Sequence, residues 1–231
     1  MLQDLIFNSA LFGLILSLAC YEIGLRLKRK FKSAIFNPLL IAIGLIITFL
    51  LTFNIDYAEY NRGAKYLGYL LTPATICLAV PLYEQIEHLK RNIKAIMAGI
   101  ISGVIASMSC ILLISILFNF SHKEYVTLLP KSITTAIGIG ISEELGGIVT
   151  ITVAVIIITG IFGNMTAEYI CKIFKINEPI AKGVAIGSSA HAMGAAKAIE
   201  MGPIEAAISS LTIAVAGIVT VVAVSFYAPL L

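Results

Sequence analysis

The chain has 231 residues, of which 59% are hydrophobic and only 13% are charged, and its mean hydropathy is +0.98. A soluble domain usually contains about 25% charged residues. The composition therefore excludes a soluble enzyme, a nucleic-acid-binding protein and a disordered chain. It predicts an integral membrane protein in a lipid bilayer. For a membrane protein, the placement of Lys and Arg along the chain says more about topology than the net charge, which is +3.

Apolar runs of the length that spans a bilayer, about 17–25 residues, follow one another along the sequence. Clear runs cover residues 5–24, 34–53, 95–118, 148–162 or 148–169, 180–199 and 206–231. The first ends at a basic stretch, Arg26–Lys32, and a polar hinge at residues 54–65 follows the second. The run at 66–83 is interrupted by prolines. The stretch at 132–142 either crosses the membrane or enters it and returns to the same side. We predict an all-α polytopic protein with about eight membrane segments, forming a single transmembrane domain over residues 1–231.

The distribution of basic residues predicts the orientation of these segments. If the N-terminus lies outside, the inner loops hold eleven Lys and Arg residues and the outer loops hold four, namely Arg62, Lys65, Lys123 and Lys131. Cytoplasmic loops carry the excess of Lys and Arg. The sequence therefore predicts an outside N-terminus.

With this orientation, the second to fourth segments are inverted with respect to the sixth to eighth. We predict two inverted repeats, at about residues 34–118 and 131–231, each with an interrupted middle segment. At an offset of 116 residues, Thr72-Pro73-Ala74 aligns with Ser188-Ser189-Ala190 and Glu84 aligns with Glu200. Inverted repeats with paired broken helices are typical of secondary transporters.

The two interruptions are the predicted substrate site. Thr72 suits an N-cap and Pro73 the first position of a helix that restarts inside the membrane. The free N–H groups of such a start can bind an anion. In the second segment, Ser188 or Ser189 caps the restart. Ala74 and Thr75 complete the first half of the site, and His191 and Gly194 complete the second.

Each of these features has a simpler alternative. Thr72-Pro73 can be an ordinary helix kink, and His191 a core histidine satisfied by hydrogen bonds. An ionisable group at membrane depth nevertheless favours a functional site. Lys197, about 9 Å further along the helix, is expected to extend to the interface.

A coupling site for a proton or sodium ion is predicted around Glu143. Thr134 and Thr135 would line it, with Asn37 as the counterpart in the first repeat. The alternative is that Glu143 lies in the first turn of a surface helix, where a carboxylate complements the helix dipole. The sequence contains no catalytic constellation and no metal-ligand spacing. We therefore predict no enzymatic activity, no metal and no cofactor.

Three blocks of the sequence resemble the LrgB/CidB family of bacterial membrane proteins, which includes the YohK-type proteins and the membrane domain of the plastid glycolate/glycerate translocator. The blocks are Leu71 to Gln85, Lys131 to Thr135 with Ile141 to Gly147, and Gly187 to Ala198. The resemblance covers nearly the whole chain. The chain departs from the family pattern at Thr72, where the family usually has Gly, and at Ala136, where it commonly has Pro, and these departures leave the substrate preference open.

The resemblance implies two different functions. Bacterial members are called antiholin-like, for roles in murein hydrolase control and cell lysis with a small holin-like LrgA/CidA partner, whereas plant members resemble carriers of small 2-hydroxy acids. The paired breaks favour a carrier of glycolate, lactate or pyruvate that works by alternating access; the alternative is the antiholin-like regulator. The resemblance also implies the bacterial inner membrane, and packing by small residues indicates a homodimer.

Overall fold

The structure is a computed structural model that describes residues 11–31, 36–70, 73, 76–77 and 79–231. Within these residues the chain is predominantly helical and contains no strand, so the all-α prediction is confirmed for them. The chain divides into two compact units, residues 1–77 and residues 78–231.

The first unit contains three described helices, α1 (Phe12–Phe31), α2 (Pro38–Thr52) and α3 (Tyr57–Gly68). The predicted end of the first segment at residue 24 is wrong, because α1 continues through the basic stretch. Lys and Arg are good helix formers, and Lys28, Arg29 and Lys30 in the last turn complement the negative end of the helix dipole. The predicted polar hinge is also wrong. Asp56 caps α3 by accepting a hydrogen bond from the N–H of Ala58 at 2.7 Å.

Helix α1 is the centre of this unit because two of its glycines allow close approach. A Cβ on Gly13 would meet the backbone of Tyr60 in α3, and a Cβ on Gly24 would lie 2.6 Å from the carbonyl oxygen of Pro38 in α2. The Ser17 hydroxyl lies 2.8 Å from the Tyr60 hydroxyl and fixes the same contact.

The second unit contains the longer helices. They are α4 (Ala79–Glu84), α5 (Ile86–Leu117), α6 (His122–Leu128), α7 (Thr135–Glu144), α8 (Val149–Ile173), α9 (Pro179–Met201) and α10 (Pro203–Tyr227). Among the described residues, three stretches are long and apolar enough to cross a membrane, namely Leu89–Leu117, Val149–Ile173 and Pro203–Leu230. Helix α2 is apolar but has 15 residues. A helical membrane protein is therefore supported.

Two predicted boundaries differ from the structure. Helix α5 has 32 residues and begins at Ile86 rather than at 95, so Lys90, Arg91 and Lys94 lie within it. Lys and Arg are compatible with a helix that continues beyond its apolar part. Glu143 lies in the last turn of α7, because that helix begins at Thr135. The alternative interpretation of Glu143, a position in the first turn of a helix, is therefore wrong, and the dipole does not favour a carboxylate at this end.

Two helix junctions in this unit are alike. Helix α4 ends at Glu84 and α5 begins at Ile86, while α9 ends at Met201 and α10 begins at Pro203. In both places a short helical piece meets a long helix through a single residue. Glu84 and Glu200 are the residues that align at the 116-residue offset.

Helix α10 packs along α9 and also contacts α4 and α5. A Cβ on Gly183 would lie 2.6 Å from the Cβ of Ile208, and one on Gly187 would lie 2.7 Å from the Cβ of Thr212. These close contacts place small residues of α9 against α10, the pattern by which helices associate in membranes.

Thr212 provides a test of this interface. Its side chain is fully buried, and its hydroxyl has no hydrogen-bond partner within the described residues. Val has a similar shape and no polar group, so Thr212→Val is expected to raise the free energy of unfolding by about 1 kcal/mol. Thermal unfolding of the detergent-solubilised protein measures this.

The matched control is Thr152→Val in α8. The Thr152 hydroxyl donates to the carbonyl of Thr127 at 2.9 Å and lies 2.8 Å from the Ser142 hydroxyl. Its removal is expected to destabilise the protein by about 1–3 kcal/mol. If both substitutions changed the free energy of unfolding by the same amount, the Thr152 hydroxyl could not be hydrogen-bonded while the Thr212 hydroxyl is not, and the assignment would be wrong.

Candidate functional site

Helix α9 is broken near its middle. His191 has φ 41° and ψ −138°, which interrupts the helix, so that α9 consists of two helical pieces. A positive φ is uncommon for any residue other than glycine and occurs often at functional sites. The second predicted interruption is therefore present, but it lies at His191.

Ser188 and Ser189 do not cap the restart, so that part of the prediction is wrong. Their hydroxyls donate hydrogen bonds back to the carbonyls of Val184 at 2.8 Å and Ala185 at 2.7 Å. Both serines thus belong to the last turns of the first helical piece. A hydroxyl that binds the carbonyl four residues earlier is a common arrangement inside a helix.

The His191 side chain is held between α8 and α9. It is 3% exposed, and its Nε2 atom lies 3.0 Å from the carbonyl oxygen of Ile156. Because a carbonyl can only accept, Nε2 carries the hydrogen and donates it. Gly160 makes room for the ring, since a Cβ there would lie 2.6 Å from the His191 Cε1 atom.

Two further contacts fix the break. Asn164 in α8 donates a hydrogen bond to the carbonyl of Met193 at 2.7 Å. Gly194 lies against the first helical piece, because a Cβ on it would be 2.6 Å from the Ile186 carbonyl oxygen. In this structure Gly194 and His191 therefore pack the break against its neighbours.

Helices α6 and α7 form a hairpin beside α8. Ser121 caps α6 in a capping box with Glu124, and these hydrogen bonds lower the pKa of the Glu124 carboxyl. The N–H of Ile148, just before α8, donates to the Thr127 hydroxyl at 2.8 Å. The last turn of α6 and the last turn of α7 therefore both lie near the beginning of α8.

The tip of this hairpin, residues 129–134, reaches the middle of the long helices. Lys131 shares a cavity with Ile158, Thr159 and Phe162, which lie near the centre of α8. The next residue, Ser132, lies 3.1 Å from the hydroxyl of Ser107 near the centre of α5. The sequence predicts Lys131 in an outer loop, whereas the structure places it beside the second half of α8 and next to Ser132, which contacts the middle part of α5.

Lys131 has no acidic partner within the described part of the chain. Its ammonium group donates to the Ser132 hydroxyl at 2.8 Å and makes no ion pair there. A cation at membrane depth is costly unless it is paired. The arrangement is therefore suited to binding an anion.

The cavity that Lys131 lines, the Lys131 cavity, has a volume of about 500 Å³. It lies between α8 and the first piece of α9, and the polar groups around it are Lys131, Thr159, Thr166 and Ser189. Its other walls are mostly apolar. A small carboxylate fits this volume, with the ammonium for its charge and hydroxyls for hydrogen bonds.

A second cavity, the Arg91 cavity, lies on the α5 side of α9. Its volume is about 870 Å³, and it is lined by residues from Arg91 to Ala106 of α5 and from Glu178 to Ser188. Fifteen residues of helix correspond to about 22 Å along α5. The cavity therefore follows much of the length of α5 and ends at Ser188, whereas Ser189 faces the Lys131 cavity.

Within the second unit, the residues predicted for the coupling site are not brought together. Glu143 is exposed, and eight residues separate it from Thr135, about 12 Å along α7. Thr134 is the N-cap residue of α7, without a side-chain capping bond. Asn37, in the first unit, caps α2 by accepting from the N–H of Leu39 at 2.9 Å.

Most of the first predicted break lies outside the described residues, namely Thr72, Ala74 and Thr75. Pro73 is helical and exposed.

Lys197 differs from its expected role. It forms ion pairs with Glu168 at 2.7 Å and with Glu200 at 3.1 Å, and so ties the second piece of α9 to α8.

Sequence reasoning missed Lys131 as a site residue. It stands in the block Lys131 to Thr135, but hydropathy alone treats a single lysine beside a polar run as part of a loop. The feature that could have identified Lys131 is its place directly before a Ser/Thr run that is too short to cross a membrane.

The LrgB-like family model matches residues 17–230. The chain belongs to the LrgB-like family. The antiholin-like protein LrgB of Bacillus subtilis (strain 168) is 38% identical over 224 residues, which cover 96% of this chain and 97% of that protein. Antiholin-like proteins LrgB of Bacillus cereus (strain B4264) and Bacillus anthracis (strain CDC 684 / NRRL 3495) are also 38% identical, over 94% of this chain and 95% of each protein. No solved structure matches this LrgB-like chain.

Proposed function

We propose that this LrgB-like chain is a secondary transporter of small monocarboxylates, 2-hydroxy or 2-oxo acids such as glycolate, lactate and pyruvate. The observation that carries the proposal is Lys131, a cation at the level of the helix centres that has no acidic partner among the described residues and lines a cavity of about 500 Å³. A bound carboxylate would neutralise that charge.

In this proposal, the carboxylate binds to the ammonium of Lys131 and to the hydroxyls of Ser189 and Thr159. The break at His191 divides α9 into two helical pieces, and a broken helix of this kind supports alternating access between inverted repeats. The similar junctions at Glu84 and Glu200 support the repeats at about 34–118 and 131–231. The part of the site predicted from the sequence at residues 72–75 stays a prediction.

Binding can be tested on the purified protein with a pair of matched ligands. Lactate is expected to raise the unfolding temperature of the wild type, whereas lactamide, its neutral amide, is not. At about 100 times the dissociation constant, a ligand adds about 2.7 kcal/mol to the stability. Equal stabilisation by lactate and lactamide, or none by any of the three acids, would count against carboxylate recognition.

The second candidate function is an antiholin-like regulator of murein hydrolase export and cell lysis. It is favoured by the name of the relatives, antiholin-like protein LrgB, which match this chain over nearly its whole length. That observation supports regulation more directly than it supports transport. The regulator would act with a holin-like LrgA/CidA partner and would need no transport cycle.

The two candidates differ in what they require. A regulator loses its effect on lysis when the holin-like partner is deleted, and it keeps that effect when Lys131 is replaced. A carrier works alone and depends on Lys131. For either function we propose the bacterial inner membrane, an outside N-terminus, a homodimer and no enzymatic activity. Without Lys131, the count of basic residues in loops becomes eleven inside and three outside.

A further inference from the structure

A very small cavity lies where the hairpin tip meets the centres of α5, α9 and α10. This cavity, the hydroxyl pocket, has a volume of about 10 Å³. Four of its lining residues carry hydroxyls, namely Ser107, Ser132, Ser188 and Thr220. Its other walls are apolar or backbone. A buried water needs about 10–15 Å³ of such space and two to four polar partners, so the hydroxyl pocket suits one water molecule.

The hydrogen bonds around the hydroxyl pocket leave several groups available. Thr220 is 4% exposed; its hydroxyl is not one of the fully buried hydroxyls that lack a partner, and it makes no hydrogen bond to another described residue. Ser188 donates to the Val184 carbonyl and keeps its lone pairs. Ser132 accepts from Lys131, so its own hydrogen can be donated onward. A buried hydroxyl is rarely left without a partner, and one water would satisfy Thr220 and Ser188 together.

The hydroxyl pocket lies between the two larger cavities. Ser188 lines both the hydroxyl pocket and the Arg91 cavity. Lys131 lines the Lys131 cavity and is hydrogen-bonded to Ser132, which lines the hydroxyl pocket. The hydroxyls of Ser132 and Ser188 therefore line one small pocket that lies between the two larger cavities.

We propose that the hydroxyl pocket binds one water molecule, which completes a proton path from Lys131 through Ser132 to the Arg91 cavity beside Ser188. This inference rests on the proposed transport function, and it identifies the coupling ion as a proton. The ammonium of Lys131 gives one proton to the Ser132 oxygen while Ser132 gives its own proton to the water. The water passes one proton to solvent water that enters the Arg91 cavity and carries it away as hydronium, and Lys131 is left as a neutral amine until it takes up a proton again from the Lys131 cavity.

The surroundings of the path favour water over a metal cation. The Lys131 ammonium is one hydroxyl away and would repel sodium. The titratable groups that face Lys131 are thiols, Cys110 of α5 and Cys171 at the end of α8. Within the described residues, no acidic side chain of α9 or α10 lines either the hydroxyl pocket or the Lys131 cavity.

The test measures proton movement and substrate exchange separately in liposomes that contain the purified protein. A pH-sensitive dye inside the liposomes reports protons, and labelled lactate reports transport. In Ser132→Ala and Thr220→Val, proton-coupled net uptake is expected to fall about 100-fold. Exchange of internal for external lactate, which moves no net proton, is expected to continue and shows that these variants are folded.

Two controls complete the design. Thr220→Ser keeps the hydroxyl and is expected to keep the coupling. Ser210→Ala removes a hydroxyl of the same helix that donates to the Ala206 carbonyl and does not line the hydroxyl pocket. An unchanged ratio of protons to lactate in both Ser132→Ala and Thr220→Val would overturn the proton path. Absence of lactate exchange in the wild type would instead overturn the transport function.

Discussion

Lys131→Met is expected to abolish lactate uptake at physiological concentrations. The ammonium group of Lys131 carries the positive charge that lines the Lys131 cavity. In the proposed complex it pairs with the substrate carboxylate. Removal of one member of a buried charge pair costs about 2–5 kcal/mol. We therefore expect the half-saturating lactate concentration to rise about 100-fold or more. Initial rates of labelled lactate uptake into liposomes measure this.

The folding of this variant can be judged independently. Lys131 is partly buried and has no acidic partner within the described residues, so its replacement by an apolar side chain is expected to leave the unfolding temperature unchanged or raise it. Lys131→Arg keeps the charge and should retain part of the uptake. Lys123→Met removes an exposed lysine of α6 and should transport normally. Normal uptake by a stably folded Lys131→Met variant would contradict the proposed site.

Gly160→Ala is expected to destabilise the protein by about 2–3 kcal/mol and to disturb the break in α9. The added Cβ would lie 2.6 Å from the His191 Cε1 atom and 2.7 Å from the Met193 sulfur. The ring must move, and its hydrogen bond to the Ile156 carbonyl is then lost. Thermal unfolding and lactate uptake measure the two effects.

A glycine without neighbours serves as the control. A Cβ on Gly140 in α7 would meet nothing within 4 Å. Gly140→Ala should therefore gain helix propensity, up to about 1 kcal/mol. The double variant Gly160→Ala with His191→Gly removes the ring and suits the positive φ, so it should recover stability relative to Gly160→Ala. A Gly160→Ala protein as stable as the Gly140→Ala protein would exclude this packing.

The sequence predicts the helices of this protein better than it predicts their ends. The apolar runs at 148–162, 180–199 and 206–231 correspond to α8, α9 and α10. Of these, α8 and α10 are long and apolar enough to cross a membrane. The ends of α1 and α5 were placed at basic clusters. Those positions were wrong, since Lys and Arg side chains can extend to the interface while their backbone remains helical.

The candidate site was predictable in part. A polar break near Ser188 followed from the run of small residues and from His191 itself. Its exact position did not, because it depends on the contacts of His191 with Ile156 and Gly160 in a different helix. The place of Lys131 beside the middle of α8 likewise arises from the hairpin of α6 and α7, which no local pattern specifies.

The central claim is that this LrgB-like chain alone carries small monocarboxylates. The most direct measurement is uptake of labelled lactate into liposomes that contain only the purified wild-type protein and a trapped fluorescent dye. The carrier predicts saturable uptake that glycolate and pyruvate inhibit, with no loss of dye. Absence of uptake of all three acids, or escape of dye together with lactate, would contradict it and favour the antiholin-like regulator.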